Sequence, residues 1–167
     1  RKELGLRTLF NILGPMSNPA GVSCQLIGVF NGAQCRPIAE VLQRLGSEHV
    51  MVVHSEDGLD EISLAAETRV AELKDGVVRE YTLKPEELGV ERGSLKDLGV
   101  EGVDASLQLL TSVLAGERDQ RSQRGARLVA LNAGAALYVA GVASSIQEGV
   151  EGALSVLAGG AALDKLN

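Results

Sequence analysis

Two hydrophobic rhythms alternate along the first third of the chain. "CQLIGVF" (24–30) is an apolar run of strand length, and "HVMVVH" (49–54) is another; both read as strands buried on two faces. Between them "RPIAEVLQRLG" (36–46) places Ile38, Val41, Leu42 and Leu45 along one helical face. Pro37 sits in its first turn and Gly46 at its end. Strand, helix, strand predicts a βαβ unit with parallel pairing and a right-handed crossover. Farther on, "RVAELKDGVVREYTL" (69–83) predicts two strands joined through "KDG", a hairpin.

The rest of the pattern is helical or irregular. "KPEELGVERGSLKDLGVEG" (84–102) is polar and punctuated by glycine, an exposed connection with one helical turn at "PEEL". Three helices are predicted after it. The first has Asp104 as N-cap and Gly116 as C-cap, the second is a buried helix over 124–141, and the last is amphipathic, glycine-interrupted and starts at Ser144–Ser145. At the other end, "RKELGLRTLFNIL" (1–13) reads as two short helices closed by the loop "GPMSNPAG". The fold class is therefore α/β, a mostly parallel sheet flanked by helices. The chain opens without Met and with a helical pattern already running, as a piece of a longer chain would.

Composition narrows the partners. With 167 residues the chain is long enough for one domain with a real core. Apolar residues make up 45% and aromatics only 2%, so that core is built of Leu, Val, Ile and Ala. The net charge of -6 comes with no basic block, which argues against nucleic acid as a partner. Cys24 and Cys35 match neither a zinc nor a redox spacing and are expected to be buried thiols. No apolar run reaches the ~20 residues of a membrane span, and a cytoplasmic protein is expected. His49 is expected at the surface, and His54 is expected to donate to a backbone carbonyl.

Chemistry concentrates in "HSEDGLDEIS" (54–63), which leaves the carboxyl end of the second strand, where ligands collect in such sheets. It holds four carboxylates in six positions. Two carboxylates ~4 Å apart repel by roughly 4 kcal/mol at an effective dielectric of 20, so a pair folded into a cleft calls for a cation. Magnesium is bound by oxygen, often through one or two carboxylates together with substrate phosphates. A solvated acidic loop accounts for the same residues. Arg1, Lys2 and Arg7 are the basic residues near the first loop, and an arginine fork grips a carboxylate in two places. A solvated helix face accounts for these equally. No phosphate loop or nucleophile elbow is present.

Two longer motifs, taken together, are specific. "RKELGLRTLFNILGPMSNPAG" followed by "VVHSEDGLDEIS" resembles the second half of the anthranilate phosphoribosyltransferase family, and the likeness continues through "LNAGAALYVAG" and "SSIQEGVEGAL". The resemblance implies a remnant of a helical domain and hinge over residues 1–20. An α/β domain of the type found in nucleoside phosphorylases and phosphoribosyltransferases would follow over 21–167. It implies transfer of a phosphoribosyl group from phosphoribosyl pyrophosphate to anthranilate in tryptophan biosynthesis, with Mg2+, by a homodimer. By the same resemblance Arg1 binds the anthranilate carboxylate, Gly14 and Pro15 line its channel, and Asp60 and Glu61 hold the metal. The family's glycine-rich phosphate loop and its Lys-His-Gly-Asn segment match nothing here, so this chain would carry part of the site and be inactive alone. The alternatives are a related phosphoribosyltransferase or nucleoside phosphorylase on the same fold, or a non-catalytic binding module.

Overall fold

A computed structural model describes Gly14, Met16 and residues 20–166; the expected helical-domain remnant over 1–20 lies almost wholly outside the described residues. The sheet has four strands in sequence order: β1 (Cys24–Gly28), β2 (His49–Ser55), β3 (Thr68–Lys74) and β4 (Val77–Leu83). Helix α1 (Cys35–Arg44) connects β1 to β2, and the two strands pair in parallel with Ile27 opposite Val52. This is the predicted βαβ unit. β3 runs against both neighbours, so β2–β3 and β3–β4 are antiparallel. Three strands point one way and one points back: the sheet is mixed, and its parallel pairing is confined to β1–β2. For the β3–β4 pair the reason is local. Asp75 and Gly76 both take positive φ, 53° and 72°, which is the twist of a tight hairpin and leaves no room for a crossover helix.

Strand parity sorts the core into two layers. Val50 and Val52 of β2 face α1, where they meet Ile38, Ala39 and Leu42 with Ala71 and Leu73 of β3. Met51 and Val53 face the other side, packed with Val70, Leu131, Ala135 and Val150. β2 is thus covered on both faces, which is why its sequence shows no polar alternation. The second layer is made by α3 (Gln120–Val139) and α4 (Ile146–Ala158), with α2 (Gly102–Leu114) packed on α3 and the short α5 (Ala161–Asp164) after α4. α3 and α4 cross closely: a Cβ on Gly149 would lie 2.3 Å from the carbonyl oxygen of Gly134. Only glycine on both helices permits that approach. Truncating a fully buried side chain such as Leu131 to Ala would cost about 2–5 kcal/mol.

Several local expectations are corrected. α2 starts at Gly102 after an extended Glu101, and Asp104 lies in its first turn instead of capping it. α3 begins four residues before Arg124, because Asp119 accepts hydrogen bonds from the backbone N–H groups of Arg121 and Ser122. Ser145, as expected, caps α4 through the N–H of Glu148. His49 is not at the surface: parity turns it to the α3 side, its side chain 12% exposed, with Nε2 2.8 Å from Glu72 and its ring edge-on to Tyr138. Of the two thiols only Cys35 is buried, and Cys24 is exposed. Burial pushes the Cys35 thiol up to about 11. No helix among the described residues is long and apolar enough to cross a membrane.

Candidate functional site

The acidic loop leaves β2 after Ser55 and returns to β3 at Thr68, so it stands at the carboxyl end of the parallel pair. Its base is closed by backbone hydrogen bonds: Ser55 N–H to Leu59 O at 2.9 Å, Gly58 N–H to Ser55 O at 2.9 Å and Glu56 N–H to Glu67 O at 2.9 Å. The neighbouring exit from β1 is tied to the same place, His54 Nδ1 lying 2.8 Å from the carbonyl oxygen of Val29 as its position predicts. The tie is also steric. An added Cβ on Gly28, the last residue of β1, would sit 1.6 Å from the carbonyl oxygen of Asp60. Only glycine at this position lets the bend fold down onto the strand end.

Within this frame the four carboxylates divide into two kinds. Glu56 is ion-paired with Arg69 of β3, and that hydrogen bond holds its carboxyl below the usual range. Asp57 is exposed as well, but it is held by donors of its own loop. Ser63 Oγ donates to it at 2.6 Å and the Leu59 N–H at 3.3 Å. Burial acts to raise its pKa, but the hydrogen bonds outweigh that and leave it below the usual range. Glu56 and Asp57 are therefore committed to holding the loop. Asp60 and Glu61 are exposed, and no hydrogen bond or ion pair among the described residues engages either side chain.

Immediately after Glu61 the chain dives into the core: Ile62 is 1% exposed, and Ser63 and Leu64 are fully buried. The side-chain amide of Asn132, on α3, meets Ile62 there. Asn132 Oδ1 accepts the Ile62 N–H at 2.9 Å, and Nδ2 donates to the Ile62 carbonyl at 2.9 Å. Ser63 N–H donates to Thr68 Oγ1 at 3.2 Å, and Ala65 N–H to Ser63 Oγ at 2.9 Å. The two free carboxylates thus project from a bend fixed at both ends. The family motif drew attention to Asp60 and Glu61, whereas nothing singled out Gly28 or Asn132. The one available clue was an amide inside the otherwise small and apolar "LNAGAAL", since a partly buried amide on a packed helix needs partners.

A family model, "Glycosyl transferase family, a/b domain", matches residues 1–163. The chain belongs to that family. It is 58% identical over 166 residues to the anthranilate phosphoribosyltransferase of Stutzerimonas stutzeri (strain A1501), a match covering 99% of this chain and 48% of that protein. To the anthranilate phosphoribosyltransferase of Saccharophagus degradans it is 59% identical over 166 residues, covering 99% and 49%. Among solved structures, the anthranilate phosphoribosyltransferase of Thermus thermophilus superposes with a TM-score of 0.86 at 43% identity, covering 99% of this chain and 48% of that one. That of Saccharomyces cerevisiae in complex with PRPP and Mg superposes at 0.82 with 26% identity, covering 99% and 47%. The family resemblance read from the motifs is therefore met. The chain spans about half the length of the curated relatives it matches.

Of the predicted site residues, Asp60 and Glu61 are consecutive and exposed in the bend that follows β2. Gly14 is exposed, and Arg1 and Pro15 lie outside the described residues. Among the described residues no group of three or more His, Cys, Asp and Glu is arranged to hold a metal ion. Two hard, unpartnered oxygen ligands open to solvent do fit Mg2+, which keeps waters and completes its shell with substrate phosphates.

Proposed function

We propose that this chain supplies the metal-holding and anthranilate-binding part of an anthranilate phosphoribosyltransferase of tryptophan biosynthesis, with its remaining phosphate contacts contributed by a portion of the enzyme that this sequence does not include. The observation that carries the reading is the division within the acidic loop: Asp60 and Glu61 free, Glu56 and Asp57 engaged. In the reaction the anthranilate nitrogen forms a bond to the anomeric carbon of phosphoribosyl pyrophosphate, the carbon–oxygen bond to pyrophosphate breaks, and the amine loses a proton. Asp60 and Glu61 would hold Mg2+ against the pyrophosphate end of the substrate. The ion, when bound, offsets the negative charge that grows on the leaving group.

The other residues act by placement. Arg1 would grip the anthranilate carboxylate with its planar fork and aim the amine at the anomeric carbon, while Gly14 and Pro15 shape the channel. An aromatic amine attacking an oxocarbenium-like carbon needs no strong base, and the reading invokes none. The homodimer, the cytoplasmic setting and the inactivity of these 167 residues by themselves belong to the same reading.

The test is the reaction in the whole protein that carries this sequence, followed by the fall in anthranilate fluorescence. Arg1→Ala is expected to raise the KM for anthranilate at least tenfold, about 1.4 kcal/mol, with a smaller change in the KM for phosphoribosyl pyrophosphate. An unchanged anthranilate KM would remove Arg1 from the site, and absence of anthranilate turnover in the unsubstituted protein would point to a related transferase or phosphorylase acting on another base.

A further inference from the structure

The acidic bend has a gap in its backbone hydrogen bonding that one side chain fills. Ile62 lies in no strand, and its N–H and C=O are both taken by the amide of Asn132, 2.9 Å each. This is the two-bond pattern of a neighbouring β-strand, delivered by a side chain from α3. The third bond of that amide goes to the carbonyl of Leu128 at 3.1 Å, one turn back on the same helix. All three polar positions of the amide that these groups reach are used, so its orientation is fixed and the side chain is a stiff arm. α3 in turn cannot shift easily, because Gly134, half a turn on, is in backbone contact with α4.

The location gives the clamp its consequence. The N–H held by Asn132 belongs to the peptide joining Glu61 to Ile62, so the clamp fixes the backbone from which Glu61 projects. On the other side, the carbonyl of Asp60 rests against Gly28. Both candidate metal ligands therefore have their backbone set by contacts that lie outside the loop. We propose that Asn132 is a positioning residue for the metal site, acting through the Ile62 peptide to aim Asp60 and Glu61. The proposal rests on the metal reading above and adds to it the residue that preorganises the ligands.

Asn132→Ser in the whole protein isolates the clamp. A serine hydroxyl back-bonds to the carbonyl four residues earlier and so keeps the Leu128 partner, but it cannot reach Ile62. Loss of partners behind metal ligands typically weakens metal affinity 10–100-fold. Expected are at least tenfold faster hydrogen exchange at the Ile62 amide and about tenfold weaker Mn2+ binding in the presence of pyrophosphate, read by electron paramagnetic resonance. The KM for anthranilate should stay unchanged. Asn132→Ala should behave alike, and Leu131→Ala, which removes core packing from the adjacent helix position, should lower Tm without moving metal affinity.

Unchanged Ile62 exchange in Asn132→Ser would overturn the inference, as would unchanged Mn2+ affinity while Asp60→Asn with Glu61→Gln abolishes binding. Equal weakening of Mn2+ binding by Leu131→Ala would also overturn it, since the effect would then be general destabilisation. If the Asp60 and Glu61 double variant itself binds Mn2+ normally, the metal reading fails, and that failure is distinct from failure of the clamp.

Discussion

Glu56 and Asp57 open the acidic bend, and Asp60 and Glu61 close it. The chemistry and the spacing are the same and all four residues are exposed, yet their partners differ. The first pair is engaged by Arg69, Ser63 and the loop's own backbone. The second pair has no partner among the described residues, while the backbone beneath it is held by Gly28 and Asn132. A carboxylate that stabilises its own loop is already provided with donors and has little to offer a cation. A carboxylate held in place by its backbone alone keeps all its oxygen lone pairs for a ligand. The contrast teaches that a site is recognised by which acids the fold leaves unsatisfied, and that clustering alone does not identify it.

The largest effect should come from neutralising each pair in turn. In the whole protein, Asp60→Asn with Glu61→Gln is expected to cut Mg2+-dependent turnover on the order of a hundredfold, about 3 kcal/mol of transition-state stabilisation, with Tm nearly unchanged. Glu56→Gln with Asp57→Asn should show the opposite pattern, turnover within a few-fold of normal and a lower Tm. Turnover across a magnesium titration together with melting curves separates the two.

A smaller effect tests the support beneath the free pair. Gly28→Ala forces a Cβ into the Asp60 carbonyl, so either β1 or the bend must move. Overpacking of this kind costs typically about 1–3 kcal/mol, a Tm loss of several degrees in a chain of this size. Mg2+ should also bind more weakly. A normal Tm with normal metal affinity would show that the bend does not rest on β1.

How much of this was legible beforehand follows from where the signals lie. The βαβ order was legible, and the run "HVMVVH" is apolar throughout its middle because both faces of β2 are covered. But β1, read as buried on two faces, buries only Ile27. Of the α1 face read from the spacing, Ile38 and Leu42 are buried while Val41 and Leu45 are exposed. The hairpin was visible in "KDG" and gave the antiparallel β3–β4 pair, but nothing in the sequence announced that β3 also runs against β2. Asp60 and Glu61 could be singled out only because a long family motif surrounds them. What stayed hidden was every feature that depends on distant chain segments meeting. His49 looked like a surface residue until Glu72 and Tyr138 came to face it. Asn132 is 70 residues from the peptide it holds, and nothing in local spacing links them.

The smallest effect is electrostatic. Asp57 has its carboxyl held below the ordinary value of about 3.9, so the folded state favours the ionised form and the unfolded state takes up more protons on acidification. Its contribution is present above about pH 4 and is lost as pH falls through its lowered folded value. Wild type should therefore lose more thermal stability below about pH 4 than Asp57→Asn does. Melting temperatures measured down the acid limb for both proteins give the comparison, and parallel curves would mean that the Ser63 contact contributes nothing to stability.

The most direct measurement is Mn2+ binding itself, titrated by electron paramagnetic resonance with pyrophosphate present, for wild type and the two double variants. Binding should be lost in Asp60→Asn with Glu61→Gln and retained within about twofold in Glu56→Gln with Asp57→Asn, since of the four carboxylates of the bend Asp60 and Glu61 are the two without a partner among the described residues. Equal loss in both variants, or retention where Asp60 and Glu61 are neutralised, would contradict the assignment of the metal to that pair.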